Sequence, residues 1–342
     1  MDSDRHTTIL LIPSVGPAFG MGNLLRCLAV AEELRSECAV VLSLPSHALS
    51  LECLEGRDVV CIPENALAER VPECDAILFD RQGPIRASSE VEELRGIYGD
   101  VPVVALDYFY REDRCMDVIL NLSGRWEPAS SDRPGCPDCR EGFDYAVIRR
   151  AFRTASGTGP VPGNGTEPSV LITFGGADPA GWTPKCVRWL ESNLKTALDV
   201  QVVSGVFSGA VEQVAALAGG KARHRYHVTG HLDNIEKHMA RADIVFCGGG
   251  TTILECAFLG KAVVALPQHE MERLFLKRFR ERGFLLEGFE SAVNDMAPGP
   301  IADLFGDESL RQRLGRIGRE LVDGHGAARI ASIVLQKTRE GR

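Results

Sequence analysis

The stretch "ADIVFCGGGTTILECAFLGKAVVALP", residues 242–267, decides the fold. It begins with a short apolar run, passes through three glycines and two threonines, and closes with a second apolar run that ends in proline. Short continuous apolar runs indicate buried strands, and the segment between them is typical of a helix. A strand–helix–strand unit of this kind predicts a parallel sheet covered on both faces.

The same alternation continues through both halves of the chain. Strands are predicted at residues 7–13, 38–44, 58–63, 75–80, 101–107 and 115–122, and again at 168–176, 199–205, 226–230, 242–250 and 261–267. Helices are predicted at residues 23–35, 183–196, 209–218, 233–241, 251–259 and 270–282, with terminal helices within 307–339. The pattern predicts two doubly wound α/β domains.

A segment rich in glycine and proline, "ASGTGPVPGNGTEP" at residues 155–168, is the best candidate linker. We therefore expect an N-terminal domain of residues 1–157 and a C-terminal domain of residues 158–342. The apolar spacing of the last helix, 328–340, allows it either to cross back onto the N-terminal domain or to pack on the C-terminal one. Two such domains would enclose a cleft, and ligands of these sheets bind at the carboxyl ends of the strands.

The overall charge argues against a broad nucleic-acid surface. The 342 residues include 38 basic and 47 acidic side chains, a net charge of −9, whereas duplex binding requires a basic face. The opening "MDSDRHTTILLIP" does not resemble a secretory signal, and no segment approaches the ~20 apolar residues of a membrane span. We expect a cytoplasmic protein without an integral membrane segment, and the oligomeric state stays open.

Eleven cysteines in apolar surroundings suit reduced, buried thiols. One pair, Cys136 and Cys139 in "GCPDCR", has the CxxC spacing of a zinc ligand pair. A structural zinc needs four ligands, and neither a second pair nor a nearby histidine doublet is present. Two free thiols in a loop are the alternative, and we expect no metal and no cofactor.

The glycine loop in the opening stretch offers the groups that a phosphate needs. Glycines allow close backbone approach and positive φ, and a helix N-terminus presents free N–H groups with partial positive charge. The threonine hydroxyls can donate or cap the helix, and the glutamate can accept from sugar hydroxyls. The alternative is a tight turn before a capped helix. The candidate ligand-binding residues are Gly248, Gly249, Gly250, Thr251, Thr252 and Glu255.

Two further glycine turns follow predicted strands. The first, "GMGNLLR" at residues 20–26, contains Gly20 and Gly22, and the second, "TFGGADP" at 173–179, contains Gly175 and Gly176. The first is not a dinucleotide fingerprint, because an arginine stands where a small residue is expected, and no G-K-[ST] of a P-loop is present. Either turn alone could be merely structural, but three of them across two domains favour a phosphate-bearing ligand.

Taken together, these motifs resemble the GT-B fold of nucleotide-sugar glycosyltransferases. More closely, they resemble the family of the pseudaminic-acid-pathway UDP-sugar hydrolase and its spore-coat polysaccharide relatives, over most of residues 8–282. The stretches that carry the resemblance are "GMGNLLRCL" (20–28), "ILFDRQG" (77–83), "ALDYFYREDRCMDVILNL" (105–122), "YAVIRRAF" (145–152), "FGGADP" (174–179), "NIEKHMARAD" (234–243) and "GGGTTILE" (248–255).

The resemblance implies a UDP-sugar ligand. The loop from Gly248 to Thr252 would lie near the diphosphate and Glu255 near the ribose, with Gly175 and Gly176 approaching from the next loop. The N-terminal domain would shape the sugar and acceptor side through Gly22, Asn23 and Arg26.

The chain departs from this family at Asn23, where the family has a histidine proposed to activate water. An amide has no useful pKa and cannot be a general base. Other candidates for the base are Asp80 and Asp107, which end predicted strands, and His269, which lies in a C-terminal loop. The alternatives are that the aspartates cap loops and that His269 is an ordinary surface histidine.

Three functions remain open on these residues. The first is transfer of a glycosyl group from a UDP-sugar to a hydroxyl acceptor, in surface polysaccharide or nonulosonic-acid biosynthesis. The second is hydrolysis of the UDP-sugar, with Asn23 only positioning the water. The third is a non-catalytic protein that binds a nucleotide-sugar.

Overall fold

The computed structural model describes residues 7–16, 20–81, 88–107, 115–122, 137–155, 168–205, 210–218, 222–230, 232 and 234–341. The chain divides into two compact units. The first comprises Met1–Val147 with His325–Arg342, and the second comprises Ile148–Gly324. The second unit starts before the expected boundary after residue 157, because the helix at Arg150–Ala155 packs against the helix at Ile235–Arg241 of that unit.

Within the described residues, the first unit contains a seven-stranded parallel sheet. Its strands are β1 (Thr8–Pro13), β2 (Ala39–Leu44), β3 (Val60–Pro63), β4 (Ala76–Asp80), β5 (Val103–Leu106), β6 (Val118–Asn121) and β7 (Asp138–Glu141), in the order β3-β2-β1-β4-β5-β6-β7. Helices α1 (Gly22–Leu34), α2 (Leu67–Arg70) and α3 (Ser88–Tyr98) connect them. The central strands β1, β4 and β5 are almost fully buried, as continuous apolar runs in a parallel sheet require.

Strand β7 lies outside the sequence prediction. Its four residues, "DCRE", include three charged side chains and pair with β6 from Val118↔Asp138 to Asn121↔Glu141. The strand lies at the edge of the sheet and is only partly buried, so its side chains need no apolar pattern.

Within the described residues, the second unit contains a five-stranded parallel sheet. Its strands are β8 (Val170–Thr173), β9 (Asp199–Val203), β10 (Arg225–Thr229), β11 (Ile244–Cys247) and β12 (Ala262–Ala265), in the order β10-β9-β8-β11-β12. Its helices are α4 (Arg150–Ala155), α5 (Trp182–Asn193), α6 (Ala210–Ala218), α7 (Ile235–Arg241), α8 (Thr251–Leu259), α9 (Glu270–Glu281), α10 (Phe289–Asn294), α11 (Gly299–Gly306) and α12 (Glu308–Leu321). Strands β8, β11 and β12 are neighbours, so the loops after them meet at one edge of the sheet.

Two glycines let α12 pack directly on the backbone around α8. A Cβ on Gly315 would lie 2.1 Å from the carbonyl oxygen of Gly260, and one on Gly318 would lie 2.9 Å from Cα of Ala257. Gly260 itself ends α8 in the left-handed conformation, with φ +68°. The helix that follows the glycine loop is therefore held by backbone contact at its far end.

The last helix, α13 (Gly326–Glu340), packs on α1 of the first unit. Ile330 and Val334 have no exposed surface there and join the core beneath α1. A Cβ on Gly326 would lie 2.1 Å from the carbonyl oxygen of Ala146, so the start of the helix also requires glycine. Over the described ranges, no helix is long and apolar enough to cross a membrane.

Candidate functional site

The glycine loop after β11 is held by a glutamate of α9. Oε2 of Glu272 accepts hydrogen bonds from the backbone N–H of Gly249 at 2.9 Å and from that of Gln268 at 2.8 Å. The Glu272 side chain is buried, and this burial raises the pKa of its carboxyl above the ordinary value of 4.5. The N–H bonds and His269 act in the opposite direction, because both favour the carboxylate.

Gln268, in the loop after β12, also contacts the loop after β8. Its side-chain Nε2 donates to the carbonyl oxygen of Phe174, in the loop after β8, at 2.9 Å. The indole N–H of Trp182 donates to the carbonyl oxygen of Pro267 at 2.8 Å. The loops after β8, β11 and β12 are thus joined by hydrogen bonds, and sequence reasoning missed Gln268 and Glu272 as the residues that join them.

The three glycines at 248–250 let the loop approach α9 closely, and they do not provide a positive φ. None of them has a left-handed backbone, contrary to one of the two roles expected from the sequence. A Cβ on Gly249 would lie 2.9 Å from Cβ of Glu272 and 3.0 Å from Cγ of Leu276. In the loop after β8, by contrast, Gly175 has φ +74°, and Gly176 lies 2.4 Å from where a Cβ on Gly205 would be.

Helix α8 begins directly after this loop. Gly250 occupies the N-cap and contributes no side-chain hydrogen bond, so the predicted capping by Thr251 or Thr252 is not found. The first N–H groups of a helix have no acceptor within it. Among the described residues, no other acceptor is found for the N–H groups of Gly250, Thr251 and Thr252. These donors remain for an anionic ligand.

Glu255 forms an ion pair in the second turn of α8. Its Oε1 accepts from Nε of Arg149 at 2.6 Å, and its side chain is only 4% exposed. The Arg149 guanidinium also lies 4.6 Å from the ring centroid of Phe152, a cation–π distance. A ribose at Glu255 would therefore share this carboxylate with Arg149. The arginine is in "YAVIRRAF", but its pairing across 106 residues has no local signal.

His269 is the N-cap of α9. Its Nδ1 accepts from the N–H of Glu272 at 3.3 Å, so the neutral ring carries its proton on Nε2. The side chain is 53% exposed. In this arrangement Nε2 is a hydrogen-bond donor to a ligand and not a proton acceptor.

The "FGGADP" loop uses its aspartate to cap α5. Oδ1 of Asp178 accepts from the N–H of Trp182 at 2.8 Å, and Oδ2 accepts from that of Thr183 at 2.9 Å. Asp178 has φ +47° and is 8% exposed. The first donors of α5 are therefore occupied, and this helix is a weaker anion site than α8.

A buried charged cluster lies at the strand ends of the first unit. The Arg26 guanidinium donates through Nε and Nη2 to the two carboxylate oxygens of Asp80 at 2.8 and 2.5 Å. Its Nη1 donates to Oδ2 of Asp107 at 2.6 Å. The two carboxylates hold the pKa of Arg26 above its ordinary value even though burial acts in the opposite direction. Asp80 has no exposed surface, which argues against its expected role as a base.

Asn23 is oriented by the same aspartate. Its Nδ2 donates to Oδ1 of Asp80 at 2.7 Å and to the carbonyl oxygen of Asp80 at 3.2 Å. These two acceptors fix which end of the amide is nitrogen. Within the described part of the chain no donor reaches Oδ1 of Asn23, so this oxygen can accept from a ligand hydroxyl.

Asp107 is the partly exposed carboxylate of this cluster. Its side chain is 14% exposed, and its Oδ1 accepts from the N–H of Leu122 at 2.8 Å. The residue has φ +48°, a left-handed conformation that is uncommon for a residue with a side chain. The backbone turn and both carboxylate hydrogen bonds fix its position beside Arg26.

The glycines of the first unit have two different places. Gly20 has φ +70° and forms a two-residue bridge with Gly16, whose N–H donates to it at 3.2 Å and whose oxygen accepts at 2.7 Å. Gly22 is the first residue of α1, after Met21 at the N-cap.

No group of three or more metal-binding side chains occurs among the described residues, and Cys136 of the CxxC lies outside them.

Residues 170–274, which include the loops after β8, β11 and β12, match the family model of the glycosyltransferase family 28 C-terminal domain. The protein is glycosyltransferase-like. The glycosyltransferase-like chain is 26% identical over 325 residues to the UDP-N-acetylglucosamine–N-acetylmuramyl-(pentapeptide) pyrophosphoryl-undecaprenol N-acetylglucosamine transferase of Rubrobacter xylanophilus, with 86% of this chain and 90% of that protein covered.

A second relative is the spore coat polysaccharide biosynthesis protein SpsG of Bacillus subtilis, 22% identical over 332 residues, with 92% of this chain and 94% of that protein covered. Among solved structures, MurG of Acinetobacter baumannii gives a TM-score of 0.65 at 16% identity, covering 96% of this chain and 99% of that one. LpCGTa in complex with UDP gives 0.62 at 14% identity, covering 98% and 100%. The predicted GT-B class of fold is confirmed.

Proposed function

We propose that this glycosyltransferase-like protein transfers a glycosyl group from a UDP-sugar to a hydroxyl acceptor, in the biosynthesis of a surface polysaccharide or a nonulosonic acid. The observation that carries the proposal is the match of residues 170–274 to a glycosyltransferase C-terminal domain, because this segment contains the glycine loop, whose last N–H groups have no acceptor among the described residues. The name of the Rubrobacter relative describes an N-acetylglucosamine transferase that uses a UDP-sugar, which supports the same class of donor.

The second unit is suited to the nucleotide. The bond between the sugar and the diphosphate breaks, and UDP leaves with the bonding pair. The N–H groups of Gly250, Thr251 and Thr252, with the positive end of the α8 dipole, would stabilise the charge that develops on UDP. His269 would donate from Nε2 to the same ligand.

The first unit is suited to the acceptor. Oδ1 of Asn23 would accept a hydrogen bond from the attacking hydroxyl and orient it, while the amide itself takes no proton. Asp107 is our candidate for the base, because its carboxylate is partly exposed whereas that of Asp80 is not. Asp80 would then hold Asn23 and Arg26 in place.

The test is UDP release from a panel of UDP-sugars, measured with and without hydroxyl acceptors. Release that requires an acceptor, together with a new glycosidic product, supports transfer. Release of UDP and free sugar in water alone would instead establish the hydrolase. Binding without any turnover, with turnover created by Asn23→His, would establish a non-catalytic nucleotide-sugar-binding protein, a possibility that Asn23 itself motivates.

A further inference from the structure

One carboxylate oxygen of Glu272 accepts hydrogen bonds from two backbone N–H groups, one in the glycine loop and one in the loop after β12. Oε2 of Glu272 accepts from Gly249 in the loop after β11 and from Gln268 in the loop after β12, at 2.9 and 2.8 Å. Backbone N–H groups at the ends of parallel strands are donors that anionic ligands use. In this protein the side chain of Glu272 accepts hydrogen bonds from two such groups.

The arrangement leaves a definite set of donors for a ligand. Gly249 and Gln268 are occupied, whereas no acceptor among the described residues is found for Gly250, Thr251 and Thr252. The loop is also in steric contact with the same side chain, since a Cβ on Gly249 would lie 2.9 Å from Cβ of Glu272. The position of the free donors therefore depends on Glu272.

We propose that Glu272 is a positioning residue for the diphosphate: through Gly249 and Gln268 it fixes the loop so that the N–H groups at the start of α8 face the ligand. This inference rests on the proposed function. Glu272 acts through the backbone and does not itself touch the nucleotide.

The charge of Glu272 is not required for this task. Both hydrogen bonds go to a single oxygen, so the amide oxygen of a glutamine can accept both of them. The carboxylate contacts the backbone N–H groups of Gly249 and Gln268, and its ionisable neighbour among the described residues is His269, whose Nε2 lies 3.9 Å from Oε1. Neutralising Glu272 also removes a charge of the same sign as the diphosphate.

The experiment compares UDP and uridine binding to the full chain, by calorimetry and by ligand-detected NMR. Glu272→Ala should weaken UDP binding at least about tenfold, as expected when buried hydrogen bonds are lost, and should leave uridine binding nearly unchanged. Glu272→Gln should bind UDP at least as tightly as the wild type. Glu270→Ala is the matched control, because Glu270 lies two residues away with a 72% exposed side chain.

The outcomes separate the two proposals. A wild-type protein that binds no UDP overturns the proposed function. A wild type that binds UDP with Glu272→Ala unchanged overturns the positioning role alone, as does an equal loss of UDP and uridine affinity, which would indicate a merely structural residue. If Glu272→Ala does not fold, Glu272→Gln still tests the inference, because the amide oxygen can accept from both N–H groups, and a UDP affinity below that of the wild type would overturn it.

Discussion

A single arginine links the strand ends of the first unit. Arg26 holds Asp80 at the end of β4 and Asp107 after β5, and both hydrogen bonds to Asp80 are buried. The side-chain exposures are 5% for Arg26 and 0% for Asp80. Removal of Asp80 leaves the buried Arg26 charge paired with the partly exposed Asp107 and without its buried partner, and loss of one partner of a buried ion pair is strongly destabilising.

We expect Asp80→Asn to lower the free energy of unfolding by about 3 kcal/mol, because the Arg26 charge loses its main partner. Asp138→Asn removes a carboxylate from the exposed pair with Arg140, whose side chains are 44% and 34% exposed, and should cost less than about 1 kcal/mol. Urea unfolding of the two variants measures both effects. Similar losses would show that the Asp80 pair contributes no more than a surface pair.

Glu272 gives the stability of the second unit a pH dependence. Burial raises the pKa of its carboxyl in the folded chain above the ordinary 4.5. As the pH rises above 4.5, the unfolded chain loses this proton first, so the folded chain binds more protons and the free energy of unfolding falls.

The variant Glu272→Gln cannot titrate at this position. The difference in unfolding free energy, wild type minus variant, should therefore decrease from pH 4.5 toward neutral pH, as measured by urea unfolding at several pH values. A difference that stays constant or increases over this range would contradict the raised pKa.

At single residues, the sequence identifies the chemistry but not the partners. "GGGTTILE" indicates a phosphate-type loop, and α8 begins at Thr251 as predicted. Nothing in the local sequence shows that Glu272 accepts a hydrogen bond from the N–H of Gly249, 23 residues away, or that Arg149 pairs with Glu255. Such pairings depend on how strands and helices pack, so they follow only from the fold.

The close contact between α8 and α12 depends on two glycines of α12, Gly315 and Gly318, which have no side chain. Gly315→Ala would place a Cβ 2.1 Å from a backbone oxygen of Gly260 and should push the helices apart, at a cost of about 1 to 3 kcal/mol. Gly96→Ala is the matched control, because it is in α3 with nothing within 4 Å. That variant should be neutral or up to about 1 kcal/mol more stable. Thermal unfolding of both variants gives the comparison, and an unchanged Gly315→Ala variant would be inconsistent with direct helix contact.

Elements are predictable where burial imposes a pattern. The predicted segment 23–35 lies within one residue of α1 at each end, and the predicted helix 251–259 has the bounds of α8. The helices α10 and α11 have no counterpart in the prediction; they are short, and a proline and a glycine stand at the start of α11. In such segments tertiary packing decides the backbone and local periodicity carries little information.

At the scale of the whole chain, the core of the first unit depends on the last helix. Ile330 of α13 has no exposed surface, so Ile330→Ala should cost about 2 to 5 kcal/mol through lost burial and a cavity. Ser332→Ala, on the exposed side of the same helix, should cost far less. Limited proteolysis with mass spectrometry checks this: Ile330→Ala should raise cleavage within Met1–Val147 selectively. Increased cleavage only within Ile148–Gly324 would contradict the assignment of α13 to the first unit.

The low reactivity of its buried cysteine thiols is a second property of the whole chain. Burial raises the pKa of the thiols of Cys38 and Cys74 to about 11 and about 12. At pH 8 such thiols contain at least about a hundredfold less thiolate than a free cysteine. Alkylation by iodoacetamide, followed by mass spectrometry, should therefore be slow at both sites in the native protein and fast in guanidinium chloride. Fast labelling of native Cys74 would refute the burial.

The division of the chain affects the order in which its two units can fold during synthesis on the ribosome. The second unit, Ile148–Gly324, is a continuous segment, whereas the first unit needs both Met1–Val147 and the segment that begins at His325. Domains generally fold as units as they emerge during synthesis. Here the earlier-made unit lacks part of its core until α13 has been synthesised, so the later-made unit can fold first while the nascent first unit still exposes the apolar face that α13 covers.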